Sequence, residues 1–452
     1  MEERKENKMG TMPVGKLLIS MSLPVMISML VQAMYNVVDS IFVAHYSENA
    51  LTAVSLAFPV QNLIIAVGVG TGVGINSLLS RRLGEKKFED ANATAENGIF
   101  LAVLSWIAFA VIGGLFSETF LKMFTQTQEV VEMGTQYLQI CTIFSFGLFM
   151  QLTVERIMQA TGITIYNMIT QSLGAIVNII LDPILIFGYF GMPRMGVAGA
   201  ATATVIGQIV AMILGFVFNH YKNKEVSLHM RSFKPNKRII REIYKVGVPS
   251  IVMQSIATVM TIGMNKILLM FTETAVSVFG VYFKLQSFIF MPVFGLTNGL
   301  IPIVAYNFGA RKKSRILYSI RDAVLYALGI MTVGTLIFQL LPTQLFAMFK
   351  ASDTMVEIGV PALRIISLSF LGAGVAIVLS SVFQAVGNGM LSLLMAVTRQ
   401  LIFILPLAYF FATYFGLNAV WYSFVLAEVA AVVMALFMFR SVYHNYIIEM
   451  PD

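Results

Sequence analysis

The stretch Leu17–Ala44, LLISMSLPVMISMLVQAMYNVVDSIFVA, decides the fold class. It carries a single charged residue, Asp39, in a run longer than the about 20 apolar residues that cross a bilayer as a helix. Residues 242–269, EIYKVGVPSIVMQSIATVMTIGMNKILL, place a second proline at an offset of 225 (249−24). The same offset relates Phe58 to Phe283, Gly84 to Gly309 and Gln159 to Gln384. Such a repeat is the mark of a chain built twice. The duplication fails at the acids: Met264 stands opposite Asp39, and Leu407 opposite Asp182. A repeat accounts for shape, so function is to be sought where the repeat is broken.

The rest of the chain reads the same way. Hydrophobic residues make up 58% of it and charged residues 12%, against roughly 25% charged in a soluble domain. Twelve apolar segments can be marked, at roughly 16–44, 51–80, 94–116, 130–154, 163–190 and 196–219, then 240–271, 275–307, 316–341, 355–385, 390–414 and 417–440. The fold class expected is an all-α membrane protein of twelve transmembrane helices in two pseudo-symmetric six-helix bundles. The bundles would be residues 1–219 and 240–452, joined by a linker at 220–239. The polar stretch Met1–Pro13 precedes an apolar run too long for a signal-peptide core, so the first segment reads as a retained helix.

Lys and Arg gather after the second, sixth and eighth segments, at Arg81, Arg82, Lys86 and Lys87, in 222–241, and at Arg311, Lys312, Lys313 and Arg315. The positive-inside rule then puts both termini in the cytoplasm, in a plasma membrane. The net charge of +7 is thus a matter of topology and does not call for nucleic acid. Six spans per repeat make the copies parallel, related by an axis along the membrane normal, with a cleft between them. One cysteine, Cys141, excludes an internal disulfide, and no His pair has metal-ligand spacing within the spans.

A charge at the bilayer centre costs about 2.5–3.5 kcal/mol on insertion scales, so a retained acid needs partners. Gln32, Tyr35, Asn36 and Asp39 follow i, i+3, i+4, i+7 spacing in the first span, and Gln171, Asn178 and Asp182 share a face of the fifth. At the helical rise, Asp39 lies about 8 Å and Asp182 about 12 Å from the outer ends of their spans. Thr204 and Tyr137 fall at similar depth. Two carboxylates this deep cannot both ionise cheaply. They would take up a proton, or hold a monovalent cation with oxygens of Asn178 and Thr204, and with Tyr137 and Asn36 nearby. Pro24 removes a helix hydrogen bond on the span that carries Asp39 and reads as a hinge. In the second half Glu428 could pair with Arg399 or Lys284, while Lys266 and Arg364 are further cations within spans. Gly68, Gly70, Gly72 and Gly74 give the small-xxx-small spacing of close helix packing.

Several stretches together resemble the multidrug and toxic compound extrusion (MATE) family. They are Tyr35-Asn36-Val37-Val38-Asp39, Gln159-Ala160-Thr161-Gly162, Asn178-Ile179-Ile180-Leu181-Asp182-Pro183, and Gly196-Val197-Ala198-Gly199-Ala200-Ala201. In the second half Gln286-Ser287-Phe288, Met291-Pro292 and Tyr306-Asn307-Phe308-Gly309 fit as well. The resemblance covers essentially the whole chain and is strongest to the DinF-like branch. It implies a transporter, not an enzyme, that exports amphipathic, often cationic drugs in exchange for Na⁺ or H⁺ by rocking of two bundles. It also implies coupling at Asp39 and Asp182 with Asn178, Tyr137 and Thr204 (or Thr202), and a hinge at Pro24. No cofactor beyond the coupling ion is expected. Partners would be small drugs and membrane lipids, with the chain a monomer. Gln32, Tyr35, Gln254, Met264 and Arg399 are expected to line the substrate cavity. The competing expectation is a flippase of a lipid-linked precursor, for which Lys266, Lys284, Arg364 and Arg399 would serve a diphosphate head group.

Overall fold

A computed structural model describes residues 4–452, so the first three positions of the polar N-terminal stretch lie outside the described residues. Every regular element among the described residues is helical. Among the described residues, twelve helices are long and apolar enough to cross a membrane, the bent pair of α4 counted as one: α1 (Val14–Tyr46), α2 (Glu48–Gly84), α3 (Phe88–Lys122), α4 (Gln128–Ile143 and Phe146–Ala160), α5 (Ile165–Phe187), α6 (Val197–Lys222), α7 (Lys237–Leu269), α8 (Glu273–Gly309), α9 (Lys313–Leu340), α10 (Asp353–Ala385), α11 (Gly389–Tyr414) and α12 (Leu417–Ile447). On α3, Leu104, Ile107, Val111 and Leu115 stay exposed at helical spacing, the stripe a lipid-facing helix presents. The duplication extends to the helix ends. Ser47 caps α2 by accepting from Ala50 N at 3.0 Å, and Thr272, 225 positions on, caps α8 by accepting from Ala275 N at 3.1 Å.

Two helices depart from regular α geometry. The halves of α4 meet at 44°. Thr142 and Ser145 there turn their hydroxyls onto the carbonyls of Leu138 and Thr142, both at 2.7 Å, and such back-bonding bends helices. The second half of α4 runs to Ala160, beyond the apolar segment expected to end near 154. Its last turns hold Gln151, Glu155, Arg156 and Gln159, which lower the hydropathy, but these side chains bond to each other and to α5. In α11 the helix widens to π geometry over Thr398–Ile404. Pro406 lies just beyond; its missing N–H and its ring disfavour regular bonding one turn back.

The chain forms two compact units: Ile27–Gly247, here the N-terminal unit, and Met1–Met26 with Val248–Asp452, the C-terminal unit. The boundaries run through α1 and α7, within three residues of Pro24 and Pro249. Each helix therefore begins in one unit and ends in the other. Paired glycines receive these beginnings. In the C-terminal unit, a Cβ on Gly295 would come 2.8 Å from Met26 Cα, and one on Gly299 would come 2.8 Å from Ser22 Cα. In the N-terminal unit, a Cβ on Gly74 would strike the Ile243 carbonyl oxygen, while Gly247 lies against the backbone of Gly70 and Thr71. Gly295 and Gly299 are the repeats of Gly70 and Gly74 (295−70 and 299−74 are both 225). The small-xxx-small pattern seats the incoming helix backbone in both units.

At one end of the N-terminal unit Arg82 bonds Glu85 at 2.8 Å and Glu242 at 2.6 Å, and Arg238 lies 3.5 Å from Asp90. The linker after α6 is pinned nearby. Ser227 N donates to Asn92 Oδ1, His229 N to Glu96 Oε1 and Asn236 N to Asn97 Oδ1. Partial burial pushes the Glu85 carboxyl up, but hydrogen bonds from Arg82 and Lys87 outweigh this and hold it below the usual carboxylate range. A folded-state value below the unfolded one contributes stability above the unfolded pKa of about 4.3, and that contribution is lost as pH falls further. Arg82→Ala should therefore lower stability by about 1 kcal/mol at pH 7 and by less at pH 4. Melting in detergent at both pH values checks this, and an equal loss at both would contradict it.

Candidate functional site

The site lies in the N-terminal unit, where α1, α5 and α6 carry polar residues inward. Asp182 is fully buried on α5, and Asn178 lies one turn before it, 3% exposed. Asp39 on α1 lies close enough to Asp182 for the two carboxyl groups to act on one another electrostatically. Two carboxylates this near each other repel, so they cannot both stay ionised cheaply. Asp39 Oδ1, Asn178 Oδ1 and both Asp182 oxygens are buried acceptors without a donor. Buried acceptors left unmatched are costly, so the cluster calls for a proton or a cation. Asn178 Nδ2 donates to Thr204 Oγ1 at 3.1 Å, and Thr204 Oγ1 donates to the Ala200 carbonyl at 3.0 Å. The hydroxyl proton of Thr204 is thus committed to its own helix, and its oxygen faces Asn178. Thr202 bonds the Ala198 carbonyl at 2.7 Å.

Below the acids a polar cavity of about 30 Å³ is lined by Tyr35, Gln151, Gln171, Asn178, Thr204 and Gln208, among others. On the other side Tyr137 is buried in an apolar cluster with Val43, Ala57 and Ile186. Its hydroxyl accepts from Gln61 Nε2 at 2.9 Å, and Asp39 lies within electrostatic reach. The structure brings Tyr35, rather than Asn36, to the cavity; Asn36 is exposed and its carbonyl accepts from Ser40. The physical reason is helix azimuth, since Tyr35 lies one full turn before Asp39 and Asn36 lies short of it. Three residues of the site are not evident from the sequence pattern. Gln61 and Gln151 carry no charge and sit in apolar surroundings that hide them. Glu155 sits at the edge of an apolar segment, and an acid so near a span is the signal that could have found it.

A family model described as MatE matches residues 24–184 and, separately, residues 249–410. The two matches begin at the paired prolines and together cover most of the chain. The chain belongs to the MatE family. Multidrug export protein MepA of Staphylococcus haemolyticus (strain JCSC1435) is 26% identical over 437 residues, which is 96% of this chain and 95% of that protein. A solved structure described as the outward-facing conformation of a multidrug resistance MATE family transporter of the MOP superfamily matches with a TM-score of 0.90. It is 26% identical and covers 98% of both chains. Another, described as MATE in the bent conformation, matches at 0.88 with 26% identity over 95% of each chain. As a MATE-family protein the chain is a multi-pass membrane transporter and not an enzyme.

The C-terminal unit of this MATE protein carries no counterpart of the acid pair. Met264 is enclosed in its core with no exposure, and an apolar residue packs where Asp39 has its repeat position. Arg399 Nη1 lies 3.5 Å from Glu428 Oε2, so Glu428 pairs with Arg399 rather than with Lys284. Lys266, Lys284 and Arg364 are exposed, and Arg364 Nε donates to the Gln339 carbonyl at 3.3 Å. Gln32 and Gln254 are half-buried, each on its own unit.

Proposed function

We propose that the chain is a secondary antiporter that exports amphipathic, often cationic compounds in exchange for inward Na⁺ or H⁺. The supporting observation is the cluster of unmatched buried acceptors at Asp39, Asn178 and Asp182. A site of acceptors alone takes the positive species that completes it, either a proton on one carboxyl or Na⁺ among the oxygens. Loading it neutralises the pair. Unloading restores charge that the surroundings tolerate poorly. Antiport follows if the unit's conformation differs between these states, so that ion and substrate compete through it. Pro24, on the helix that carries Asp39, would act as the hinge, with Tyr137 and Thr204 as second partners of the pair. Both termini would be cytoplasmic, the membrane the plasma membrane, and the chain a monomer.

Efflux of a fluorescent organic cation from proteoliposomes tests this, first under an imposed Na⁺ gradient and then under a proton gradient. One gradient should accelerate efflux over a no-gradient control and drive it against up to about a tenfold opposing concentration difference, since a tenfold gradient supplies about 1.4 kcal/mol per ion. No acceleration under either gradient would overturn the antiport reading.

A further inference from the structure

Glu155 has no part in the acid pair, yet polar contacts run from it toward that pair. Its Oε1 accepts from Gln151 Nε2 at 3.1 Å and from Thr170 Oγ1 at 3.1 Å. Gln151 Nε2 also reaches Gln171 Oε1 at 2.9 Å. Gln151 and Gln171 line the 30 Å³ cavity together with Asn178 and Thr204. A polar space of that size holds a water molecule or two. Asn178 stands one turn below Asp182. On α5, Thr170 and Asp182 are separated by 12 residues (182−170), about 18 Å at the helical rise, more than half of a hydrocarbon core of about 30 Å. Polar groups in such a row inside a span cost stability and mark ion pathways.

We infer that Glu155 is the inward end of a polar file along which the coupling cation passes between the Asp39–Asp182 pair and the cytoplasmic side. This rests on the reading of that pair as the coupling site. Glu155 suits the inner end because it is only half-buried, near the start of α5, whereas Asp182 is fully enclosed. The charged group beside it is Arg156, whose stem lies along Gly72 of α2 and whose guanidinium bonds Gln159 Oε1 at 3.0 Å. Tyr35 of α1 is within its electrostatic reach, while among the described residues α5 and α6 bring neutral Asn167, Thr170, Gln171 and Gln208 to this region. A carboxylate there can receive an ion arriving through the cavity and pass it to water. A glutamine of the same shape keeps the hydrogen bonds but has no charge to balance a cation and no site for a proton.

The test separates two modes of the full-length protein in proteoliposomes. Substrate-for-substrate exchange needs the carrier to turn with substrate bound but does not need ion release inward. Net efflux driven by an ion gradient needs both. Glu155→Gln should keep exchange within about twofold of wild type and lower net efflux by about tenfold or more, because only the ion branch of the cycle is cut. Should that variant fail to insert, Gln151→Leu interrupts the file with Glu155 in place and carries the same expectation. Unimpaired net efflux, or an equal fall in both modes, overturns the inference. Asp39→Asn and Asp182→Asn run in parallel distinguish the two levels. If they abolish net efflux while Glu155→Gln does not, only the file is wrong. If they too are fully active, the coupling reading itself has failed.

Discussion

Asp182→Asn should reduce gradient-driven efflux to the level of protein-free vesicles, and Asp39→Asn should do the same. Asparagine has the volume of aspartate, so packing around the fully buried position 182 is kept. What disappears is the group that takes the proton or balances Na⁺. With one acid replaced, the remaining pair no longer changes charge on ion binding in the same way, and the link between ion and substrate is cut. The folded protein should not suffer. The amide introduced by Asp182→Asn would donate to Asp39, supplying a partner for an acceptor that now has none, a gain of about 1 kcal/mol. Melting temperature should hold or rise while transport is lost. Efflux of a fluorescent cation and thermal melting of the same preparations decide it, and full transport by both single variants would end the mechanism.

Gly74→Val should be the most damaging substitution outside the site. The added side chain would drive into the backbone carbonyl of Ile243, which cannot swing aside as a side-chain tip can. Overpacking of this kind costs about 1–3 kcal/mol, and a backbone obstacle puts it at or beyond the upper end. Gly299→Val meets the backbone of Ser22 in the same way, since a Cβ there already lies 2.8 Å from Ser22 Cα. The control is Gly280→Ala on the same helix as Gly299: nothing lies within 4 Å of its added Cβ, and alanine is the better helix former by about 1 kcal/mol. Membrane yield and melting temperature should fall sharply for the two valine variants and be unchanged or higher for the alanine. Wild-type melting of Gly74→Val would show that the entry of α7 is not seated there.

Which helices exist was legible because hydropathy is local. Twelve apolar runs give twelve spans, and the offset of 225 recurs in caps, prolines and glycines alike. The second half of α4 reads short in the sequence because hydropathy averages over neighbours. Gln151, Glu155 and Gln159 count as polar in such an average, although in the folded unit Gln151 bonds Glu155 and Gln171, Gln159 accepts from Arg156, and the helix continues. Depth along the helix put Asp39, Asp182, Thr204 and Tyr137 at similar height. Depth could not distinguish Tyr35 from Asn36, which differ in azimuth and hardly in height.

The amino-acid sequence by itself determined an all-helical membrane chain, its duplication, and the break in that duplication at Asp39 and Asp182, since composition and spacing alone control these. Tertiary structure decided that Asp39 meets Asp182, that Asn178 bonds Thr204 rather than Thr202, and that Glu155 joins the same row of polar groups. It also decided that the first turns of α1 and α7 pack into the unit opposite to the one their later turns build. The reason is common to all of these. Helical periodicity says which residues share a face, but the neighbour that face meets is chosen by close packing, here by glycine pairs that admit one helix backbone against another.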